Sequence, residues 1–373
     1  MPPLHKPLSR PLLLAPALLL SGLLAGCNTV LLNPSGDIAA QQGKLIVVST
    51  WLMLLIIVPV IALTLTFAWK YRASNRAARY EPDWDHSTQL ELVIWAAPLL
   101  IIIALGAITW ISTHTLDPYR PLSRIDDKRP VTADVKPLVV EVVALDWKWL
   151  FIYPEQGIAV VNELAAPVDR PIQFKITASS VMNAFYIPEL AGMIYAMPGM
   201  QTQLHAVINK PGDYEGFSSN YSGAGFSHMR FRFHGLDRAG FDQWVQAAKA
   251  DAKELTRADY LQLEKPSERE PVRRYASFAP GLYDAILNRC VDSSKMCMSE
   301  MMAIDAGGGL GRQGIDGVKE KDGHTSDANG ATPRTYYVAA ALCTVADPTG
   351  TQPVLRAAQN DMQNTAQNAT AQN

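Results

Sequence analysis

The sequence predicts a membrane hairpin of two α-helices followed by an all-β sandwich, a few short helices and a disordered tail. Three observations carry that reading. Leu45 to Trp69 and Leu92 to Thr113 contain no charged residue, and each is long enough to cross a hydrocarbon core of ~30 Å. Between Leu138 and Gly235 the chain turns to short β-branched runs separated by turn residues, the pattern of a sandwich. Beyond Ala306, Gly, Asp, Asn, Gln and Thr dominate, a composition that buries too little apolar surface to fold.

Residues 1–26 read as a bacterial lipoprotein signal. Basic His5, Lys6 and Arg10 precede an apolar run from Pro11 to Leu24, then Leu24-Ala25-Gly26-Cys27. Small residues before a cysteine suit lipoprotein signal peptidase, so Cys27 is the expected lipidation site and mature N-terminus. An ordinary signal peptide or short anchor is the alternative. Residues 27–44 then form a periplasmic segment, and 45–113 the hairpin. Pro59 and Pro98 lie inside the spans, where neighbouring membrane helices satisfy the freed carbonyls. The 70–91 loop carries Lys70, Arg72, Arg76 and Arg79, which places it in the cytoplasm. That topology agrees with an external Cys27 and puts everything after the second span in the periplasm.

A linker, 114–137, leads to the sandwich at 138–235. Leu138–Leu145, Pro171–Thr177 and Thr202–Ile208 read as strands, and Met229–His234 alternates apolar and basic residues as a half-buried strand does. Residues 236–289 form a helical segment. Phe241, Trp244, Val245 and Ala248 fall at i, i+3, i+4 and i+7, one apolar helix face, and Thr256 is placed to cap a second short helix through Leu263. Residues 290–373 read as mostly disordered, with an apolar island from Tyr336 to Val345. A net charge of −2 and 48% hydrophobic content exclude a nucleic-acid binder and an acidic disordered chain.

The most telling stretch is Ser218-Ser219-Asn220-Tyr221-Ser222-Gly223-Ala224-Gly225-Phe226-Ser227-His228-Met229. In spacing it resembles the dinuclear copper loop of subunit II of cytochrome c oxidases, Cys-x-Glu-x-Cys-Gly-x-x-His-x-x-Met. Ser218 and Ser222 stand at the cysteine positions, Asn220 at the glutamate and Phe226 at the histidine; only Gly223 and Met229 keep the family identity. Asn183, in Asn183-Ala184-Phe185-Tyr186-Ile187-Pro188, stands where the family has its upstream histidine. Two adjacent coppers need bridging thiolates and imidazoles, which hydroxyls, amides and a phenyl ring cannot replace. These six positions read as a lost copper site.

Longer strings resemble subunit II of the bo-type ubiquinol oxidases: Asp146-Trp147-Lys148-Trp149-Leu150-Phe151-Ile152-Tyr153-Pro154, Ser180-Val181-Met182-Asn183, Ile194-Tyr195-Ala196-Met197 and Phe67-Ala68-Trp69-Lys70-Tyr71-Arg72. The resemblance runs from the lipobox to about Leu287. It implies that the sandwich is a cupredoxin-like Greek key without copper and that no cofactor is held in this chain. Haems and the remaining copper belong to subunit I of a proton-pumping enzyme that reduces oxygen with ubiquinol in the bacterial inner membrane. The implied partners are subunit I, smaller membrane subunits and membrane lipid, with ubiquinol met only through the complex. The chain is not catalytic alone.

By the same resemblance Trp147, Trp149 and Tyr153 are expected to face subunit I, and Glu91 to sit at a proton-input channel. Glu91 also fits a plain helix-start carboxylate stabilised by the macrodipole. His228 and His234 are six residues apart, about 20 Å along a strand, too far to share an ion. His205 reads as a strand surface residue. Cys290 and Cys297 allow a disulfide or, with Met296, Met298, Met301 and Met302, a Cu(I) site; Cys343 is left over. Two rival functions stay open, a cytochrome c oxidase subunit II and a free-standing lipoprotein that binds copper or an assembly partner.

Overall fold

The computed structural model describes residues 30–306 apart from Tyr80, Pro82 and Ala133. The signal segment, Cys27 and the tail from 307 onward, including Tyr336–Val345 and Cys343, lie outside the described residues. Two helices, α1 (Asp37–Lys70) and α2 (Thr88–Thr115), contain the uncharged spans and are long and apolar enough to cross a membrane. Both continue past the apolar runs into polar residues, because extending a formed helix costs little.

The N-terminal end of α1 is threaded into the domain that follows. Backbone N–H groups of Ser35 and Gly36 donate to Glu189 O, and Asn209 N–H donates to Ser35 O. Asp37, buried in the first turn of α1, accepts two hydrogen bonds from the Arg124 guanidinium, at 2.9 and 3.0 Å. The segment read as a linker is therefore pinned, and Arg129 adds a second fork to Asp169 at 2.8 Å.

Ten of the sandwich's eleven strands come first: β1 (Leu138–Leu145), β2 (Lys148–Tyr153), β3 (Ile158–Val161), β4 (Glu163–Pro167), β5 (Ile172–Ala178), β6 (Asn183–Tyr186), β7 (Ile194–Ala196), β8 (Thr202–Ala206), β9 (Gly212–Ser218) and β10 (Arg230–Leu236). Three shorter ones follow, β11 (Glu254–Leu255), β12 (Arg273–Tyr275) and β13 (Ser277–Phe278). One sheet runs β12-β3-β2-β1-β5-β8 and faces a second, β4-β10-β9-β6-β7. The parallel pairs β1–β5 and β4–β10 require crossovers between sheets, which makes this a cupredoxin-like Greek key and not a meander. Between the sheets Phe185 and Phe231 stack at 5.5 Å, and Trp149 meets both edge-on at 5.4 and 5.8 Å, geometry that suits the ring quadrupoles.

The outer face of the larger sheet is also covered. Helices α3 (Arg238–Lys249), α4 (Arg257–Leu263) and α5 (Leu282–Leu287) follow the sandwich, with α6 (Met298–Ala306) last. Tyr260, Leu263, Leu282 and Ile286 close over Val143, Leu145, Leu150 and Ile152. Strand β2 is accordingly buried at all six positions, whereas β10, with one solvated face, alternates. Phe241, Trp244, Val245 and Ala248 of α3 are all buried, and Thr256 caps α4 by accepting from Asp259 N–H.

Two readings change. His205 is buried and not at the surface, because the chain leaving α2 covers β8: its Nδ1 and backbone N–H both meet Pro118 O at 3.1 Å. The helix α6 lies inside the stretch from 290 read as mostly disordered, and a Cys290–Cys297 disulfide precedes it.

Under the outer layer, burial pushes the Glu141 carboxyl up to about 7, partly offset by Lys175 beside it. A carboxyl that holds its proton more tightly when folded loses stability as pH rises from its ordinary 4.5 through that value. Glu141→Gln is therefore expected to raise the urea midpoint at pH 8 and leave it unchanged near pH 4.5.

Candidate functional site

The loop frame is organised by hydrogen bonds among the replacements. Ser218 Oγ donates to Asn183 Oδ1 at 3.1 Å and accepts from Ala184 N–H at 3.3 Å. Asn183 Nδ2 donates to Val181 O, and Asn220 Nδ2 to Met182 O, both at 3.1 Å. The turn before β6 and the loop after β9 are thus stitched together by these amide and hydroxyl groups. Phe226 packs edge-on against Tyr221 at 5.6 Å, and Met229 is a buried core side chain. The Ser222 hydroxyl is buried without a hydrogen-bond partner, yet a lone hydroxyl offers copper no thiolate. Four of the five side-chain ligand positions carry groups that cannot bridge or complete a dinuclear copper centre. The donor set does not fit that group. Among the described residues, no cluster of three or more His, Cys, Asp or Glu could hold a metal ion.

Trp147 shapes the same loop. It occupies the two-residue turn between β1 and β2 with a φ of 68°, a conformation most side chains avoid. Its indole N–H donates to Ser222 O at 3.1 Å. A Cβ at Gly225 would fall 2.4 Å from the ring and one at Gly223 3.0 Å from it, so these glycines provide the close approach. Trp149 and Tyr153 are a correction to the sequence expectation. Both are fully buried inside the sandwich, Tyr153 bonded to Ala165 O at 2.9 Å, so neither can face a partner subunit. Of the three, only Trp147 reaches the surface.

Sequence reasoning missed Lys148. Its ammonium is enclosed and donates to Lys265 O at 2.8 Å, Ser267 Oγ at 2.7 Å and Asp146 O at 3.3 Å, while desolvation lowers its pKa. This one side chain clips the segment after α4 to the sandwich. Lys148→Met, which keeps the stem and loses the donors, should cost about 2–3 kcal/mol, two or three net hydrogen bonds. Limited proteolysis should then cut near Lys265 first.

Sequence also gave no sign of a charged group across the sheets. Glu163 accepts a fork from Arg274 at 2.9 and 3.0 Å and lies 3.3 Å from His234 Nε2, whose Nδ1 meets Asp213 at 2.5 Å. At the other end of the molecule Glu91 lies in the first turn of α2, half exposed, with His86 Nδ1 at 2.7 Å.

An apolar helix hairpin leading into a cupredoxin-like domain with this loop frame defines the subunit II class of haem-copper oxidases. Residues 138–234 match the family model for the periplasmic domain of cytochrome c oxidase subunit II, and residues 249–294 match the aromatic-rich motif of such oxidases. Cytochrome bo(3) ubiquinol oxidase subunit 2 of Pseudomonas putida is 51% identical over 72% of this chain and 82% of its own length. The protein of the same name from Pseudomonas aeruginosa is 50% identical over 74% and 80%, and ubiquinol oxidase subunit 2 of Acetobacter aceti 51% over 71% and 84%. The chain belongs to the ubiquinol oxidase subunit 2 family.

Proposed function

We propose that this chain is the non-redox subunit II of a proton-pumping quinol oxidase of the inner membrane, anchored by two spans and by lipid on Cys27. It supports a subunit I that holds the haems and copper and meets ubiquinol. The observation that carries this reading is the hydrogen-bonded replacement of the copper ligands, with Ser218 bonded to Asn183. An electron from cytochrome c has no relay in such a loop, whereas quinol delivers electrons from within the membrane. Trp147 and the exposed Val181, Met182 and Tyr221 around the loop form the surface that docks on subunit I.

Oxygen consumption by the complex purified from its native membrane tests this. Ubiquinol is expected to support turnover and reduced cytochrome c is not. Turnover with cytochrome c would sink the reading, and a preparation without haem would favour a free-standing lipoprotein.

Glu91 supplies the proton-input role. A carboxylate where a span begins, exposed to water and reversibly protonated, is suited to collecting protons. Glu91→Gln is expected to slow ubiquinol-driven oxygen consumption and proton pumping while haem content stays constant. Unchanged turnover and pumping would leave Glu91 as a helix-start residue.

A further inference from the structure

The loop between the two helices divides its charges. Lys70, Arg72, Arg76 and Arg79 come first, then Glu81, Asp83 and Asp85, and then His86 at the threshold of α2. Of the loop's cations, Arg79 pairs with Glu81 at 2.7 Å, Lys70 lies over the Tyr71 ring and Arg72 over Trp69. Among the described residues, His86 reaches the helix carboxylate. Its Nδ1 lies 2.7 Å from Glu91 Oε1 and its Nε2 3.1 Å from Thr88 Oγ1. Both side chains are open to water, 63% and 49% exposed. An ion pair so exposed contributes little to stability, so stability is a weak reason for the arrangement.

We infer that His86 relays protons from water to Glu91, an inference that rests on the proton-input reading of Glu91 above. In the neutral ring Nδ1–H donates to the carboxylate and Nε2 accepts from the Thr88 hydroxyl. A proton arriving from water at Nε2 makes the imidazolium. The Nδ1 proton then moves to Glu91 Oε1, which leaves a neutral ring protonated on Nε2 and a neutral glutamic acid. Glu91 passes its proton inward, and the ring returns to its first tautomer by exchange with water. Only N–H and O–H bonds form and break, and charge is conserved at each step.

Imidazole suits this task because one ring nitrogen can accept a proton while the other releases one. The contact to Glu91 is within the reach that direct proton transfer requires. Asp85, adjacent in sequence, and Asp83 add negative charge to this end of the loop, and negative charge raises the local concentration of cations including protons. On the helix side Glu91 is the charged group facing the ring.

The test uses the whole oxidase in proteoliposomes with ubiquinol as donor. Turnover and proton uptake are measured across roughly pH 6–9 for His86→Ala, His86→Gln and Glu91→Gln. Haem content per complex shows assembly. The His86 variants are expected to match the unaltered enzyme at the acid end and to fall several-fold at the alkaline end, where free protons are scarce. Added imidazole should restore the lost rate in His86→Ala. A normal pH profile in the His86 variants beside an impaired Glu91→Gln overturns the relay and leaves the Glu91 reading intact. Normal behaviour of all three overturns both. A loss in His86→Ala that is uniform across pH and insensitive to imidazole assigns His86 a structural part and also overturns the relay.

Discussion

Gly36→Ala is expected to lower the melting temperature of the complex by roughly 6–12 °C, for a cost of about 3 kcal/mol at 2–4 °C per kcal/mol. The reason is space and not conformation, since Gly36 is extended, with φ −108° and ψ 150°. An added Cβ would lie 2.6 Å from Leu190 O and 2.7 Å from Val207 O. Both are backbone atoms, so no rotamer change relieves the clash. Overpacking of this kind costs about 1–3 kcal/mol, and the displacement also strains the Gly36 N–H bond to Glu189 O at 2.7 Å. The next residue is Asp37, so a shift here disturbs the fork to Arg124 as well. Thermal unfolding of the detergent-purified oxidase measures the effect. An unchanged melting temperature would mean that the chain does not thread between Leu190 and Val207 in the assembled enzyme.

Glu163→Ala should destabilise the periplasmic domain by about 3 kcal/mol, the lower end for breaking a buried ion pair, because Arg274 keeps some contact with water. The carboxylate is the joint between the two sheets: it sits on β4 of the smaller sheet and holds Arg274 on β12 of the larger. Its removal leaves the Arg274 guanidinium without its fork and His234 with Asp213 alone. The pH dependence carries the same signature. The Glu163 hydrogen bond leads the effects that raise the His234 pKa above its ordinary 6.5, so that contribution is fully present below 6.5 and lost as pH climbs through the raised value. Burial pushes Glu163 up, but hydrogen bonds from His234 and Arg274 outweigh it and leave the carboxyl below 4.5. Its contribution is present above 4.5 and lost as pH falls through the lowered value. Both act together between 4.5 and 6.5. Urea midpoints at about pH 5.5 and pH 8 should therefore differ in the unaltered protein. The difference should shrink in Glu163→Ala, with Glu141 and the His234 contact to Asp213 contributing to the slope that remains.

What could be read in advance follows from how each feature is encoded. The spans are legible because burial in lipid demands a long run of local composition. Helix α3 and the strand β10 are legible because a single buried face leaves a period of 3.6 or 2 in the chain. The reading of a lost copper site rests on residue types at fixed spacing, and Ser218, Ser222 and Phe226 are neither thiolates nor imidazoles whatever surrounds them. Trp149 and Tyr153 were misplaced for the opposite reason. A run of aromatics tells that a strand is buried but not whether its cover is another sheet of the same chain or a partner subunit.

The sequence by itself determined the hairpin, the all-β domain, the helix capped by Thr256 and the residue types that line the loop. Only the tertiary structure decided which distant residues meet. Gly36 with Leu190, Lys148 with Lys265, and Glu163 with Arg274 and His234 are pairings between far-apart positions. Their energies depend on distance, desolvation and hydrogen-bond direction, quantities that exist only once the chain has closed. The short contact between His86 and Glu91 is of the same kind at close range: both residues are plain in the sequence, but the way α2 begins brings the ring to the carboxylate.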